Sequence, residues 1–270
     1  WKYREPVLDI CEFITGNRNH YAMIKPGGVR RDIDNNDIPQ IMKMADDLIP
    51  ALNIFRGAVT DDPVIHARTK GVGILTKEDI KDYGALGPTA RASGVAIDVR
   101  RDDPQNTAYN LVDWQVITTP NGDVFDKVVV RILEMYESIK IIKQCLEKLK
   151  TVKGEIDARL KDVPPGEGIG HYEAPRGETF HYVRSDGTNS PVRHKVRAPS
   201  YMNVPTNQKS VLGETISDAT IILAAVDPCY CCTERTQVVD ENGKKLMGFR
   251  DLLHLSWEKT ERMRRKYRNR

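Results

Sequence analysis

The sequence predicts an α+β protein that is mostly helical and carries a small antiparallel β element. The helical part is predicted by residues 127–150, KVVVRILEMYESIKIIKQCLEKLK, where apolar residues recur at helix spacing with Lys and Glu on the outside. The β element is predicted by residues 179–184 and 192–197, two alternating stretches on either side of the turn-forming SDGTNSP. Strands do not alternate regularly with helices, so the pattern does not favour a parallel-sheet fold.

The first helix is predicted over residues 5–16, EPVLDICEFITG. Its proline suits the first helical turn and its glycine suits the end, and Cys11 shares one face with two apolar residues. We therefore expect Cys11 to be a small buried hydrophobe. Cys145 lies beside the apolar stripe of residues 127–150 and is expected in or near the core.

Four further segments carry local signals for regular structure, among them a capping box and a proline break. They are residues 38–56, helical with a break at Pro50; residues 77–83, a short helix behind Thr76 and Asp79; residues 215–226, apolar and suited to helix or strand; and residues 249–264, a final helix.

Length and composition indicate one large domain or two small ones, since the chain has 270 residues of which 40% are hydrophobic. It begins with Trp1, so we expect a longer protein upstream. The longest apolar run, Ile221–Val226, has six residues, and no transmembrane segment or signal peptide is predicted. An odd number of cysteines, five, argues against a secreted disulfide framework and favours a reducing cytoplasm.

The formal charge of +3 is concentrated at the end of the chain. Residues 258–270 hold seven basic and two acidic residues. A basic tail suits nucleic acid, but no aromatic platform, zinc knuckle or RNA-binding signature accompanies it. The sequence therefore predicts a solvated end or a surface that faces a partner protein, and no nucleic-acid partner.

Three of the five cysteines lie within VDPCYCCTER, residues 226–235. The spacing of Cys229 and Cys232 lets two thiolates reach one metal ion, with Pro228 fixing the entry. A structural zinc site needs four ligands, and neither a second Cys-x-x-Cys nor a close histidine pair is present in the sequence. A thioredoxin-like redox pair needs an α/β fold, which the pattern does not predict. Both stay open beside a third interpretation, half of a larger soft-metal site.

The motif Asp227-Pro228-Cys229-x-x-Cys232-Thr-x-Arg235 resembles the C-terminal nickel-binding motif of nickel–iron hydrogenase large subunits, in their membrane-bound, energy-converting branch. Other stretches agree in the same order: TGNRNHYAMIKPGGVRRDI (15–33), LGPTARASGV (86–95), GHYEAPRGE (170–178) and SDGTNSPVRHKVRAPSYMN (185–203). They are also similar to the quinone-site subunit of respiratory complex I, a homologue that lacks the cysteines. The cysteine pair therefore favours a hydrogenase, and the resemblance implies a hydrogenase large-subunit-like helical bundle.

The resemblance implies a role for each cysteine. In that family four thiolates hold nickel, and two of them bridge to an iron that carries CO and cyanide. Cys229 would be a terminal nickel ligand and Cys232 a bridging one, and Cys229 is the candidate base that takes the proton when H2 is split. Cys231 matches no ligand position and is expected to be a bystander.

The resemblance also implies a group of residues around the metal. Arg176 would place a guanidinium over the open metal position, where a charge that cannot be lost by deprotonation polarises the substrate. Pro175, Pro199 and Ser200 match positions that line the cyanide ligands, with Ser200 as a hydrogen-bond donor.

Two features depart from the family pattern. The first cysteine pair of the family is absent from these residues, so we expect the other two thiolates to lie outside this chain segment. Hydrogenase large subunits are often cut after the position that matches Arg235, yet 35 residues follow it here. We expect residues 1–235 to be the C-terminal part of the domain that forms a hydrogenase large subunit, and residues 236–270 to be an extension with a basic tail.

The function that follows from the resemblance is reversible proton reduction to H2 with electrons from ferredoxin. The implied partners are an iron–sulfur small subunit that carries a cluster and complex I-like peripheral and membrane subunits, on the cytoplasmic side of the cell membrane. A sulfane-sulfur or quinone-type reductase of the same superfamily is the alternative enzyme. A structural scaffold subunit is the non-enzymatic alternative, favoured if no metal binds at Cys229 and Cys232.

Overall fold

The computed structural model describes residues 1–104, 107–160, 162–233 and 237–268. The helices in these ranges are α1 Glu5–Thr15, α2 Ile38–Asp46, α3 Ile49–Asp61, α4 Pro63–Thr69, α5 Lys77–Tyr83, α6 Gly87–Arg91, α7 Val99–Asp102, α8 Val124–Leu149, α9 Pro199–Asn203, α10 Asn207–Ser210, α11 Ile216–Ala225 and α12 Phe249–Arg268. The strands are β1 Ile24–Lys25, β2 Gly28–Val29, β3 Gly166–Ala174, β4 Gly177–Ser185, β5 Arg193–Arg197, β6 Val238–Val239 and β7 Lys245–Met247. Helices thus dominate over small antiparallel sheets, which confirms the predicted fold class.

The chain divides into two compact units, Trp1–Pro228 and the part from Cys229 onward. In the first unit, the long helix α8 packs against α2, α3, α4, α6 and α11. One apolar cluster joins α8 to α2 through Ile38, Ile41 and Leu146, and a second lies around Leu75 and Ile80. The order β3-β4-β5 forms an antiparallel three-stranded sheet.

The second unit contains a 3-10 turn at Tyr230–Cys232, the β6–β7 hairpin and α12. Arg235 lies outside the described residues, and the predicted domain boundary after it stays a prediction. No helix of the described ranges is both long enough and apolar enough to cross a bilayer.

Several predicted helices are confirmed with their ends. α1 stops before Gly16, which is in the left-handed region at φ +80°. α5 carries the predicted capping box: Thr76 Oγ1 accepts from Asp79 N over 3.1 Å, and Asp79 Oδ2 accepts from Thr76 N over 2.9 Å. Residues 215–226 are helical, the first of the two open alternatives. The final helix continues four residues past its predicted end.

Other predictions are corrected. The break in residues 38–56 falls between α2 and α3, before Pro50, because a proline in the first turn of a helix gives up no intrahelical hydrogen bond. Cys11 is half-buried rather than buried, because Leu8 is the residue that α1 buries. Cys145 is also half-buried, which agrees with its predicted place in or near the core. Lys127, predicted on the outside of α8, is fully buried.

The sheet has one strand more than the predicted hairpin. β3 occupies the glycine-rich stretch GEGIGHYEA, whose composition indicates turns rather than a strand. It lies at the edge of the sheet and pairs along its full length with β4, from Gly166 opposite Ser185 to Ala174 opposite Gly177. Tertiary pairing with β4 therefore overrides the weak strand propensity of the glycines.

Candidate active site

Arg176 lies at the tip of the β3–β4 hairpin. Ala174 pairs with Gly177, so Pro175 and Arg176 alone form the connection. Gly177 has φ +123°, and a Cβ there would come within 2.8 Å of Gly87 N. Only glycine tolerates both the conformation and the close approach. The hairpin thereby presents two predicted site residues, Pro175 and Arg176, side by side.

The Arg176 guanidinium is held by Asp227. Its Nε donates to the Asp227 carbonyl oxygen over 2.6 Å, and its Nη2 donates to Asp227 Oδ1 over 3.1 Å. Asp227 directly follows Val226 at the end of α11 and has φ +55°, a left-handed conformation that costs about 1–2 kcal/mol for a non-glycine residue. This strained residue presents two acceptors to one planar guanidinium, which fixes the direction of the positive charge.

The Arg176 turn is also fastened through its backbone. Asn203 is buried, its Nδ2 donates to the Arg176 carbonyl oxygen over 2.9 Å, and its Oδ1 accepts from Leu86 N over 2.8 Å. Gly87 has φ +62°, and a Cβ there would lie 2.5 Å from Arg176 O. The start of α6, the end of α9 and the hairpin tip therefore meet at a contact that leaves no room for a side chain.

Pro199 and Ser200 form the first turn of α9, and both are buried. A proline at this position lacks only a donor that the helix would leave unpaired. Asn203 ends the same short helix, and α9 packs against β4. The structure thus brings these two predicted residues to the element that binds the Arg176 carbonyl oxygen, while their part in lining cyanide ligands stays a prediction.

A buried ion network lies behind the hairpin. Arg91 is 2% exposed, and its guanidinium donates to Glu134 Oε1 over 2.6 Å and to Glu173 Oε1 over 2.8 Å. The donor to Glu173 is Nη1 of Arg91, and Asp98 Oδ2 lies 3.3 Å from that same nitrogen. Glu173 precedes Arg176 by three residues on β3. The network therefore anchors the strand that leads into the Arg176 turn.

Burial and charge oppose each other in this network. Burial alone lowers the pKa of Arg91, but the surrounding carboxylates outweigh it and the pKa is raised. Burial raises the pKa of Glu173, and Arg91 offsets the effect only in part. Burial lowers the pKa of Arg131, against the pull of Asp227. The carboxylates thus keep Arg91 charged against its burial, and removing Arg91 would leave Glu173 buried without its cation.

A cleft of about 430 Å³ opens beside the network, and its lining is rich in charged side chains. Its walls include Arg100, Arg131, Glu134, Ser138, Pro175 and Asp227. A lining of this kind suits small polar or charged species rather than a large apolar ligand. Pro175 and Asp227 place the cleft directly beside the site of Arg176.

Cys229 and Cys232 lie at the 3-10 turn that begins the second unit. The Sγ atoms of the two residues lie 3.0 Å apart, and Cys232 N donates to Cys229 O over 3.0 Å. Thr233 Oγ1 donates to the same carbonyl oxygen over 3.2 Å. Cys229 is half-buried, whereas Cys232 and Cys231 are exposed. The turn therefore brings together the two predicted metal ligands.

These two thiols are of a type that can bind a soft metal. No group of three or more His, Cys, Asp or Glu side chains within the described residues is arranged to hold a metal ion. Two adjacent sulfur atoms are donors of the type that soft metals prefer, and they supply half of the four-thiolate set that the family resemblance implies. A zinc site would need two further ligands. A thioredoxin-like site would need an α/β fold, which this helical structure does not have.

Sequence reasoning names Arg176 and the cysteine pair but misses the residues that support Arg176. These are Arg91, Glu173 and Asn203. Each lies inside a stretch that carries the family resemblance, LGPTARASGV, GHYEAPRGE or the end of APSYMN. The resemblance was thus the available signal, although it did not show which residues of each stretch make contact.

The family described as respiratory-chain NADH dehydrogenase, 49 Kd subunit, matches residues 1–162 and 158–235. The chain belongs to this family. Its relatives include both hydrogenase and NADH-quinone oxidoreductase subunits, which confirms the predicted relationship between the two groups.

Three relatives illustrate the similarity, each at 37% identity. The membrane-bound hydrogenase alpha subunit of Pyrococcus furiosus aligns with 97% of this chain and 64% of its own length. The carbon monoxide-induced hydrogenase of Rhodospirillum rubrum aligns with 86% of this chain and 64% of its own length. An NADH-quinone oxidoreductase subunit of Clostridium beijerinckii aligns with 84% of this chain and 63% of its own length. The chain therefore spans just under two thirds of the length of these relatives.

Proposed function

We propose that this chain belongs to the catalytic subunit of a membrane-bound, energy-converting nickel–iron hydrogenase. The reaction is the reversible reduction of protons to H2 with electrons from ferredoxin. Family membership supports an oxidoreductase subunit in a complex I-like assembly. The observation that carries the hydrogenase proposal is the pair of sulfur atoms of Cys229 and Cys232, which lie 3.0 Å apart. The pair follows Asp227-Pro228 in the sequence.

The residues divide the chemistry between them. A nickel–iron centre with CO and cyanide ligands would supply the redox-active metal at which H2 is formed or split. Cys229 and Cys232 would hold it, and Sγ of Cys229 would accept or release the proton. Arg176 would supply a positive charge, and its two hydrogen bonds to Asp227 hold that charge in one orientation for the developing negative charge. Pro175, Pro199 and Ser200 would line the diatomic ligands.

The proposed partners follow from the same reasoning. An iron–sulfur small subunit would deliver electrons through its cluster, with ferredoxin as the donor. Complex I-like peripheral and membrane subunits would complete the assembly, with this chain on the cytoplasmic side of the membrane. The names of the hydrogenase and NADH-quinone oxidoreductase relatives support a multisubunit complex of this kind.

The test is elemental analysis of the purified native complex by mass spectrometry, combined with H2 evolution from reduced ferredoxin. We expect stoichiometric nickel together with iron. Cys229→Ser should remove the nickel and the activity, whereas Cys231→Ser should retain both because Cys231 matches no ligand position. Full nickel occupancy in Cys229→Ser would contradict the assignment.

The second candidate is a quinone-type or sulfane-sulfur reductase of the same superfamily. It is favoured by the match to the 49 kDa family and by an NADH-quinone oxidoreductase relative at the same identity as the hydrogenases. Iron without nickel in the complex, together with electron transfer to a quinone or to sulfane sulfur in place of H2 evolution, would establish this alternative.

A further inference from the structure

The last helix, α12, has an amphipathic pattern that the proposed hydrogen chemistry does not use. At 100° per residue, one arc of about 140° collects most of its apolar side chains. The arc also contains two small hydroxyl residues. Its members are Phe249, Leu252, Leu253, Ser256, Trp257, Thr260, Met263 and Tyr267, and one charged residue, Arg264, also falls within it.

At the start of this apolar face Leu252 and Leu253 are partly covered, whereas Phe249 is exposed. α12 contacts β7, and Leu252 and Leu253 are half-buried there. Farther along, Trp257 is 62% exposed, Tyr267 is 55% exposed and Met263 is 40% exposed. The aromatic part of the face is therefore open along the C-terminal half of the helix.

The same half of the helix is strongly basic. From residue 259 to residue 268 it has six basic residues and one acidic residue, Glu261. The basic residues are Lys259, Arg262, Arg264, Arg265, Lys266 and Arg268. Lys259 and Lys266, seven residues apart, follow one border of the apolar arc. Long basic side chains at such a border can extend their charges towards phosphate while the helix lies on an apolar layer.

We propose that α12 lies on an anionic lipid surface and docks this chain to the membrane. A helix with aromatic residues on one face, a basic polar face and low overall hydropathy is the kind that lies in the interfacial plane of a bilayer. Ser256 and Thr260 lie on the same face, and the Thr260 hydroxyl donates to Ser256 O over 2.8 Å. The excess of basic side chains complements the phosphate groups of anionic lipids.

The experiment measures binding of the full chain to vesicles by co-sedimentation. One set of vesicles contains phosphatidylglycerol mixed with phosphatidylcholine, and the other contains phosphatidylcholine alone. We expect binding to the anionic vesicles only, weakening as salt is added. Lys259→Gln with Lys266→Gln should weaken it about thirtyfold at low salt, and Trp257→Ala about tenfold.

Matched controls separate docking from general charge and apolarity. Lys81→Gln with Lys153→Gln removes two exposed lysines elsewhere, and Leu255→Ala removes an exposed apolar side chain outside the arc. Both should bind like the wild type, and circular dichroism should show the same helix content in every variant.

Three results would overturn the proposal. They are a wild-type chain that stays in the supernatant with anionic vesicles, equal losses in the control variants, and a chain recovered from native membranes that ends before α12. The vesicle measurement does not depend on nickel, so it can fail or succeed independently of the proposed hydrogenase activity.

Discussion

The Arg176 turn and the Cys229–Cys232 turn are built in different ways. In the first unit, Arg176 is fixed by residues far away in sequence: Asp227 binds its guanidinium and Asn203 binds its carbonyl oxygen. In the second unit, the hydrogen bonds described for Cys229 come from Cys232 and Thr233, within four residues. The fixed positive charge is thus positioned by the packed fold, whereas the sulfur pair is formed by one local turn. The orientation of Arg176 therefore depends on long-range contacts within the first unit.

The largest effect should come from removing the buried arginine of the first unit. Arg91→Ala leaves Glu173 buried without its cation and leaves Asp98 with Arg100 alone, and we expect the free energy of unfolding to fall by about 3–5 kcal/mol. Urea denaturation at neutral pH measures this change. Because Glu173 leads into the Arg176 turn, catalytic activity should fall in parallel.

Arg18 provides the control for this prediction. It also contacts three carboxylates, those of Glu5, Asp9 and Glu12, at 2.6–2.7 Å, but all three are about half exposed. Arg18→Ala should leave the unfolding free energy nearly unchanged, since solvent screens exposed ion pairs. Equal losses in the two variants would show that burial is not what makes the Arg91 network important.

The next effect tests the close approach between α6 and the Arg176 turn. Gly87→Ala adds a Cβ 2.5 Å from Arg176 O at φ +62°, so the turn must move, and we expect a loss of about 3–4 kcal/mol. Gly71→Ala is the matched control, because Gly71 has φ +71° but nothing within 4 Å of the added Cβ. Its loss should be about 1 kcal/mol. Activity should fall only in Gly87→Ala. A similar loss of unfolding free energy in both variants would argue against a close contact between Gly87 and the Arg176 turn.

The same contrast explains what the sequence could predict. The helices, the hairpin and the Cys229–Cys232 pair come from short-range signals, namely apolar spacing, capping residues and Cys-x-x-Cys. The contacts that fix Arg176 join residues 27 and 51 positions apart, and Arg91 reaches Glu173 across 82 positions. Local patterns carry no information on such pairings, and a rule that places charged residues outside fails for Arg91. The family resemblance marked these stretches without showing their contacts.

Lys127 is a buried cation that can be compared with Arg91. Its described hydrogen bond goes to a backbone carbonyl oxygen rather than to a carboxylate. Its Nζ donates to Gly73 O over 2.9 Å, and burial lowers its pKa from 10.5 to about 8. The unfolded chain therefore holds this proton up to about pH 10 while the folded chain loses it near pH 8, so stability rises with pH across that window. Relative to Lys127→Met, the wild type should gain on the order of 3 kcal/mol between pH 8 and pH 10.5, measured by urea denaturation. Parallel pH profiles would contradict this prediction.

The smallest expected effect is on the pH dependence of stability. It compares His171 of the first unit, whose ring lies between two carboxylates, with His254 of the second unit, which is exposed. The ring of His171 lies between two carboxylates, 2.9 Å from Asp103 Oδ2 and 2.6 Å from Glu178 Oε1, and Glu178 also pairs with Arg197. Both ring nitrogens must donate to satisfy these acceptors, so the hydrogen bond to Asp103 leads a rise in the pKa of His171 that burial only partly opposes.

A raised histidine pKa stabilises the fold fully below the unfolded value near 6.5, and this stabilisation disappears as the pH rises through the higher folded value. His171→Gln should therefore lower the unfolding free energy at pH 6 more than at pH 8. His254→Gln is the control, because His254 is exposed and faces a single carboxylate, Glu258, at 3.6 Å. If His171→Gln lowered the unfolding free energy equally at both pH values, the ring would act by packing alone. The contacts of His171 with Asp103 and Glu178 would then not depend on its charge.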